Sequence, residues 1–283
     1  MGLVEYSSSS EDDNDDIEQH TAKRRKLLDE NNLLPPLPSN FRDLYSSTVR
    51  TSTQDDPSLH GGRKRVTPHV AGNWPAHVYL EWTPEKNQQI VLENLVSSIQ
   101  DKETEGKKIH TLLENDLGVQ LPLHISLSRP LTLKTAQKDK FLADLKTAIS
   151  TTGVRGFAVT PNKLTWHPNE DGTRWFLVLS LIRPENNELQ KLLDVCNKLA
   201  GEAGQPLLYQ GSKSREVDDG KFHLSVAWSL TPQEEGEVDV ATGIKEKLKG
   251  LKIELGEVKA RIGQDVTSIP LRKRRGALFG RED

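Results

Sequence analysis

Cysteine is almost missing from this chain: there is one, Cys196, in 283 residues. That excludes an intrachain disulfide, and nothing points to an oxidising compartment. Cys196 falls at helical spacing with Leu189, Leu192, Leu193 and Leu199, which predicts a buried small residue rather than a reactive one. Long apolar runs are also missing. The longest, Trp175 to Ile182, is far short of the ~20 residues that span a bilayer. The N-terminus has no signal-peptide core. It begins Met-Gly, but Tyr6 stands where a myristoylation site needs Ser or Thr. A soluble, intracellular chain with no membrane partner is expected.

An excess of one charge is likewise absent. The net charge is −3 and the pI is near 6.3. Any nucleic-acid contact must therefore be local rather than a field over a whole face. Three basic clusters supply local charge: Lys23 to Lys26, Arg63-Lys64-Arg65 and Arg272-Lys273-Arg274-Arg275. Such runs read as nuclear import signals, as nucleic-acid patches or as plain solvated basic runs. Only 34% of residues are hydrophobic. The shortfall lies at the N-terminus, where residues 1–67 combine an acidic Ser run, a basic run and Pro35-Pro36-Leu37-Pro38. That stretch cannot bury enough apolar surface to offset its chain entropy, which predicts a disordered tail. Residues 68–283 remain, enough for a sizeable core.

Two short runs carry the chemistry. Leu123-His124-Ile125-Ser126-Leu127 and Phe222-His223-Leu224-Ser225-Val226 each place a His and a Ser two residues apart in an apolar segment. Side chains alternate along a strand. His124 and Ser126 therefore share one face, and so do His223 and Ser225. Two such strands side by side would bring two imidazoles and two hydroxyls into one cleft. Imidazoles serve as general base and general acid near neutral pH. The hydroxyls can bind a phosphate between them. His-x-Ser alone is a short pattern that occurs by chance. Half-buried strand histidines without a catalytic role remain the plain alternative. The other six histidines carry less. His20 and His60 lie in polar, low-complexity sequence, and His69 and His77 flank a Trp-containing segment. His110 lies in a polar helical stretch, and His167 precedes a Pro in a turn. None has metal-ligand spacing, so neither metal nor other cofactor is expected.

Periodicity gives a coarse map. Ala76 to Trp82 alternates as a strand. Thr83 caps the next helix with Pro84 at its first position, and Ile90, Leu92, Leu95, Val96 and Ile99 form its buried stripe. The first motif strand ends at Pro130, and a helix follows over about 135–149. Strands are predicted over 157–160, 164–167 and 175–181, with a hairpin turn at Asn169-Glu170-Asp171-Gly172. A helix covers 185–203. The second motif strand covers 221–228, a helix 238–248, and strands 251–262 and 266–271. This order is α+β rather than a steady βαβ alternation.

With these residues in hand, the chain resembles the two-histidine (2H) phosphoesterase superfamily. Within it, the match is to the enzymes that process the 3′ end of U6 small nuclear RNA. The likeness rests on residues 69–80 (HVAGNWPAHVYL), 124–129 (HISLSR), 222–228 (FHLSVAW) and the opening 3–9 (LVEYSSS). It implies a two-lobed, pseudo-symmetric fold with antiparallel sheets lining a central cleft and helices outside. One lobe would come from both ends of 68–283 and the other from about 123–210. It implies a metal-independent 3′-5′ exonuclease acting as a monomer on a uridine-rich, single-stranded RNA 3′ end. The RNA's own 2′-hydroxyl would attack, leaving a 2′,3′-cyclic phosphate or a 3′-phosphate. His124 and His223 would be catalytic, Ser126 and Ser225 would bind phosphate, and Tyr209 would stack on the terminal base. The polar stretch 210–220 is longer than the family pattern wants after that Tyr. Lys221 is a further candidate contact, and Arg129 an anchor for the loop at Pro130. Two rival readings stand beside this one. The first is a cyclic phosphodiesterase or 2′-5′ ligase-like enzyme acting on tRNA ends. The second is an RNA-binding module that has lost activity.

Overall fold

The computed structural model describes residues 70–102, 107–115, 117–169, 171–210 and 221–273. The expected disordered tail, the first two basic clusters and Arg274-Arg275 of the third lie outside the described residues.

Strand β1 (Asn73–Trp82) is the spine of the first sheet. Ala76, Val78, Leu80 and Trp82 enter the core, so His77, Tyr79 and Glu81 point the other way. The strand starts earlier than its alternation predicts, because Trp74 and Pro75 pair with Leu133 and Thr132. Helix α1 (Lys86–Gln100) also differs at its start. Glu85, not Thr83, is the N-cap; its backbone N–H donates to Gln88 Oε1 at 2.8 Å, a bond from the third helical residue back to the cap. Ile90 is 45% exposed, and Gln89 is buried in its place. Gln89 is tolerated inside because its amide donates to Glu93 Oε1 at 2.8 Å.

The remaining elements follow as β2 (His110–Thr111), β3 (Leu123–Ser126), β4 (Leu131–Lys134), α2 (Thr135–Thr151), β5 (Phe157–Val159), β6 (Pro161–Pro168) and β7 (Trp175–Leu181). After them come α3 (Glu188–Glu202), β8 (His223–Ser229), β9 (Gly236–Glu237), α4 (Thr242–Lys249), β10 (Ile253–Leu255), β11 (Glu257–Ile262) and β12 (Asp265–Pro270). His110 is thus in a strand, not a helix, and His167 is in β6, not a turn. β4 follows Pro130 directly and was not foreseen. The single strand expected over 251–262 is two, broken at Gly256. The first half pairs with β5 and the second with β1.

Two five-stranded antiparallel sheets carry the site. The first runs β12-β11-β1-β3, with β4 also on β1. The second runs β2-β8-β7-β6-β9. The division between lobes differs from the 123–210 expectation. β3 and β4 join the sheet built from both chain ends, and the second sheet extends through β8 to β9. The reason is local: β3 finds its partner in β1, where Glu81 pairs with His124 and Tyr79 with Ser126. Cys196 is 1% exposed in the apolar stripe of α3, as expected, and burial pushes its thiol up to about 12.

Candidate active site

β3 is only four residues long, yet it fixes the first motif. Leu123 and Ile125 are buried, which turns His124 and Ser126 to the opposite face. The following turn is tied to β1 by Ser128. Its Oγ accepts from the Val78 N–H at 2.9 Å and donates to the Arg129 carbonyl at 2.8 Å. Ser128 is thereby occupied with backbone, which separates it from the motif serine two residues earlier.

β8 presents the second motif in the same way. Phe222, Leu224 and Val226 are buried, and His223 and Ser225 face away from them. His223 lies opposite Ser180 and Ser225 opposite Val178 on β7. β3 and β8 lie against each other across the two sheets. A cavity of about 460 Å³ opens there, lined among others by His77, Tyr79, Glu81, His124, Ser225 and Arg261. Residues 101 positions apart in sequence, His124 and Ser225, therefore share one cleft. His223 stands at the start of β8 with its ring 6.4 Å from that of His167.

The surroundings of the first motif are aromatic and charged. His77 stacks on Tyr79 at 5.1 Å and meets His124 edge-on at 5.4 Å. Tyr79 meets His124 at 5.6 Å. His77 Nε2 is 3.1 Å from Ser126 Oγ, a hydrogen-bonding distance. Burial pulls the His77 pKa down to about 3, with His124 and the cation of Arg261 adding to it. His124 keeps a face open to the cleft, but the protein around its other sides displaces water and lowers its pKa as well. Next to them Lys259 is 1% exposed and is held by Glu257 Oε1 at 3.2 Å and Glu81 Oε1 at 3.7 Å.

The two further expected contacts lie beside Phe222. Tyr209 packs edge-on against Phe222 at 6.1 Å, on the apolar side of β8. Burial raises its phenol above the usual range. Lys221 Nζ donates to Gln190 Oε1 at 2.8 Å and lies 5.8 Å from the Tyr209 ring. Of the six sequence-predicted site residues, His124 and Ser225 line the cavity; Ser126, His223, Tyr209 and Lys221 do not. His77, Arg261 and His167, by contrast, were not singled out from sequence. The signal for His77 was available: it shares a face with Tyr79 and Glu81 in an alternating strand.

Sheet order, paired motifs and shared cleft define the class, a 2H phosphoesterase fold. Residues 35–270 match the HVSL family, described as an uncharacterised conserved protein. U6 snRNA phosphodiesterase 1 of Neurospora crassa is 37% identical over 276 residues, which cover 84% of this chain and 74% of that protein. The Homo sapiens protein of the same name is 26% identical over 245 residues, 84% of each chain. The solved structure of Kluyveromyces marxianus Usb1 with uridine monophosphate has the same fold, with a TM-score of 0.51 at 16% identity, and covers 70% of this chain and 98% of that one. The chain belongs to the U6 snRNA phosphodiesterase 1 family.

Proposed function

We propose that this protein is a metal-independent 3′-5′ RNA phosphodiesterase that shortens the uridine-rich 3′ end of U6 small nuclear RNA in the nucleus. The observation that carries the reading is the shared cleft: His124 of β3 and Ser225 of β8, from different sheets, line a single cavity. The family name supplies the substrate.

The chemistry follows from the groups present. The 2′-hydroxyl of the penultimate nucleotide attacks the adjacent phosphorus. One imidazole takes its proton and the other protonates the departing 5′-oxygen. The P–O2′ bond forms, the P–O5′ bond breaks, and a 2′,3′-cyclic phosphate remains. His124, whose surroundings favour the neutral ring, suits the proton acceptor, which leaves His223 as the donor. Ser126 and Ser225 donate to the non-bridging oxygens, where negative charge builds in the transition state. Tyr209 would stack on the terminal base, with Lys221 Nζ 5.8 Å from its ring as a further contact.

The test is digestion of a 5′-labelled, uridine-tailed RNA in EDTA by wild type and His124→Ala. Shortening from the 3′ end, with cyclic phosphate or 3′-phosphate termini and loss in the variant, supports the proposal. RNA that is bound but intact in the wild type favours the binding-module reading. Turnover only of preformed cyclic ends favours the cyclic phosphodiesterase.

A further inference from the structure

We propose that His77 is a positioning residue: its Nε2–H donates to Ser126 Oγ and so directs the serine's own proton into the cleft, toward a phosphate oxygen. This rests on the function proposed above and assigns a third histidine to the site.

The reasoning is a count of protons. A serine hydroxyl has one proton to donate and lone pairs with which to accept. The non-bridging oxygens of a phosphodiester only accept. Ser126 can hold them only if its single proton is free for that purpose. His77 Nε2 lies 3.1 Å from Ser126 Oγ, so one of the two must donate to the other. A neutral imidazole has one N–H and one bare nitrogen. With the proton on Nε2, His77 donates and the serine proton is free. With the proton on Nδ1, the serine would spend its proton on His77 and have none for substrate. Only the first arrangement is compatible with phosphate binding.

The rest of the site holds His77 in that role. Tyr79 stacks on its ring and His124 meets it edge-on, which fixes the ring plane. His77 and Arg261 are direct partners across β1 and β11, and Ser126 lies opposite Tyr79 across β1 and β3. Burial together with the neighbouring His124 and Arg261 keeps the ring neutral. A group that does not titrate near pH 7 is a poor acid or base but a constant donor. On the second motif Ser225 lies opposite the apolar Val178 of β7.

The experiment is a double-mutant cycle with rescue, read as kcat and KM on the uridine-tailed RNA. His77→Leu removes the donor, and His77→Gln returns an amide N–H at similar reach. The expected loss in kcat for His77→Leu approaches that of Ser126→Ala, about 10² to 10³-fold for one such donor. In the Ser126→Ala background, His77→Leu should change kcat by less than about threefold. His77→Gln should recover activity to within about tenfold of wild type. Full multiplication of the two losses overturns the proposal, as does an unchanged kcat in His77→Leu. Should His77→Leu fail to fold, the cycle is run with His77→Gln and His77→Asn, whose amides differ in reach; equal kcat for the two overturns it. His124→Ala is run in parallel. Activity surviving there defeats the catalytic reading of the cleft and this proposal with it. Multiplying losses with His124 still essential defeat only the role of His77.

Discussion

The two motif strands have the same tripeptide pattern and different company. β3 sits beside a strand that offers His77, Tyr79 and Glu81, with Arg261 and Lys259 one strand further on. β8 sits beside a strand that offers Val178 and Ser180, with His167 beyond. One lobe sets its histidine among His77, Tyr79 and charged groups, and the other sets its histidine near a single second imidazole, His167, with Val178 and Ser180 on the neighbouring strand. A site made by backbone pseudo-symmetry is therefore asymmetric in its side chains. Acid–base catalysis needs that asymmetry, because the two imidazoles must hold opposite protonation states at the start of the reaction.

The largest effect tests what the two lobes share. A 2′-O-methyl or 2′-deoxy penultimate nucleotide should abolish cleavage, since both lobes act on an attack that only a 2′-hydroxyl makes. Quantifying product from such RNA in EDTA checks this, and cleavage there would rule out the mechanism. Next come the histidines. His124→Ala and His223→Ala should each lower the single-turnover rate by about 10² to 10⁴-fold. If His124 is the base, its lowered pKa places the acid limb of the wild-type pH–rate profile below 6.5. A limb at or above 6.5 would favour the reverse assignment. The serines then separate the lobes. His77→Leu and Ser225→Ala should multiply, because they belong to different sheets, whereas His77→Leu and Ser126→Ala should not.

Stability gives a smaller effect. In the unfolded chain His77 takes a proton near 6.5, and in the folded chain only at about 3. Between those values the unfolded state binds more protons, so stability falls as pH drops from 6.5 toward 3. The slope from one residue is at most about 1.4 kcal/mol per pH unit. Urea midpoints at pH 7 and pH 4.5 should converge in His77→Gln relative to wild type. The smallest effect concerns the loop that follows β11. Gly263 has φ +65°, and an added Cβ would lie 2.8 Å from the Trp74 ring. Gly263→Ala should destabilise by about 1–3 kcal/mol, seen as a lower Tm.

Much of this was legible in the residues. Alternation placed β1, β7 and both motif strands, and the leucine spacing around Cys196 placed α3. What failed depended on distant partners. β4 is too short to show a period and exists because β1 extends to Asn73 to meet it. The break at Gly256 arises because the two halves of one apolar run pair with different strands, β5 and β1. His77 was passed over because it has no Ser or Thr two residues on. Its partner Ser126 is 49 residues away and becomes a neighbour only through the β1–β3 pairing.

That same spine has a consequence in time. Ala76 on β1 pairs with Ile262 on β11, so the first sheet closes across nearly the whole folded chain. A ribosome releases β1 and the first motif long before β11 exists. The strand must wait with one edge unpaired while the second sheet has all of its strands. In that order of synthesis the cleft is the last part of the described fold to be finished. A nascent chain stopped after β9 would carry both His-x-Ser motifs yet lack the strand that positions His77 and Tyr79. An early stop near the C-terminus removes the foundation of one lobe rather than a dispensable tail.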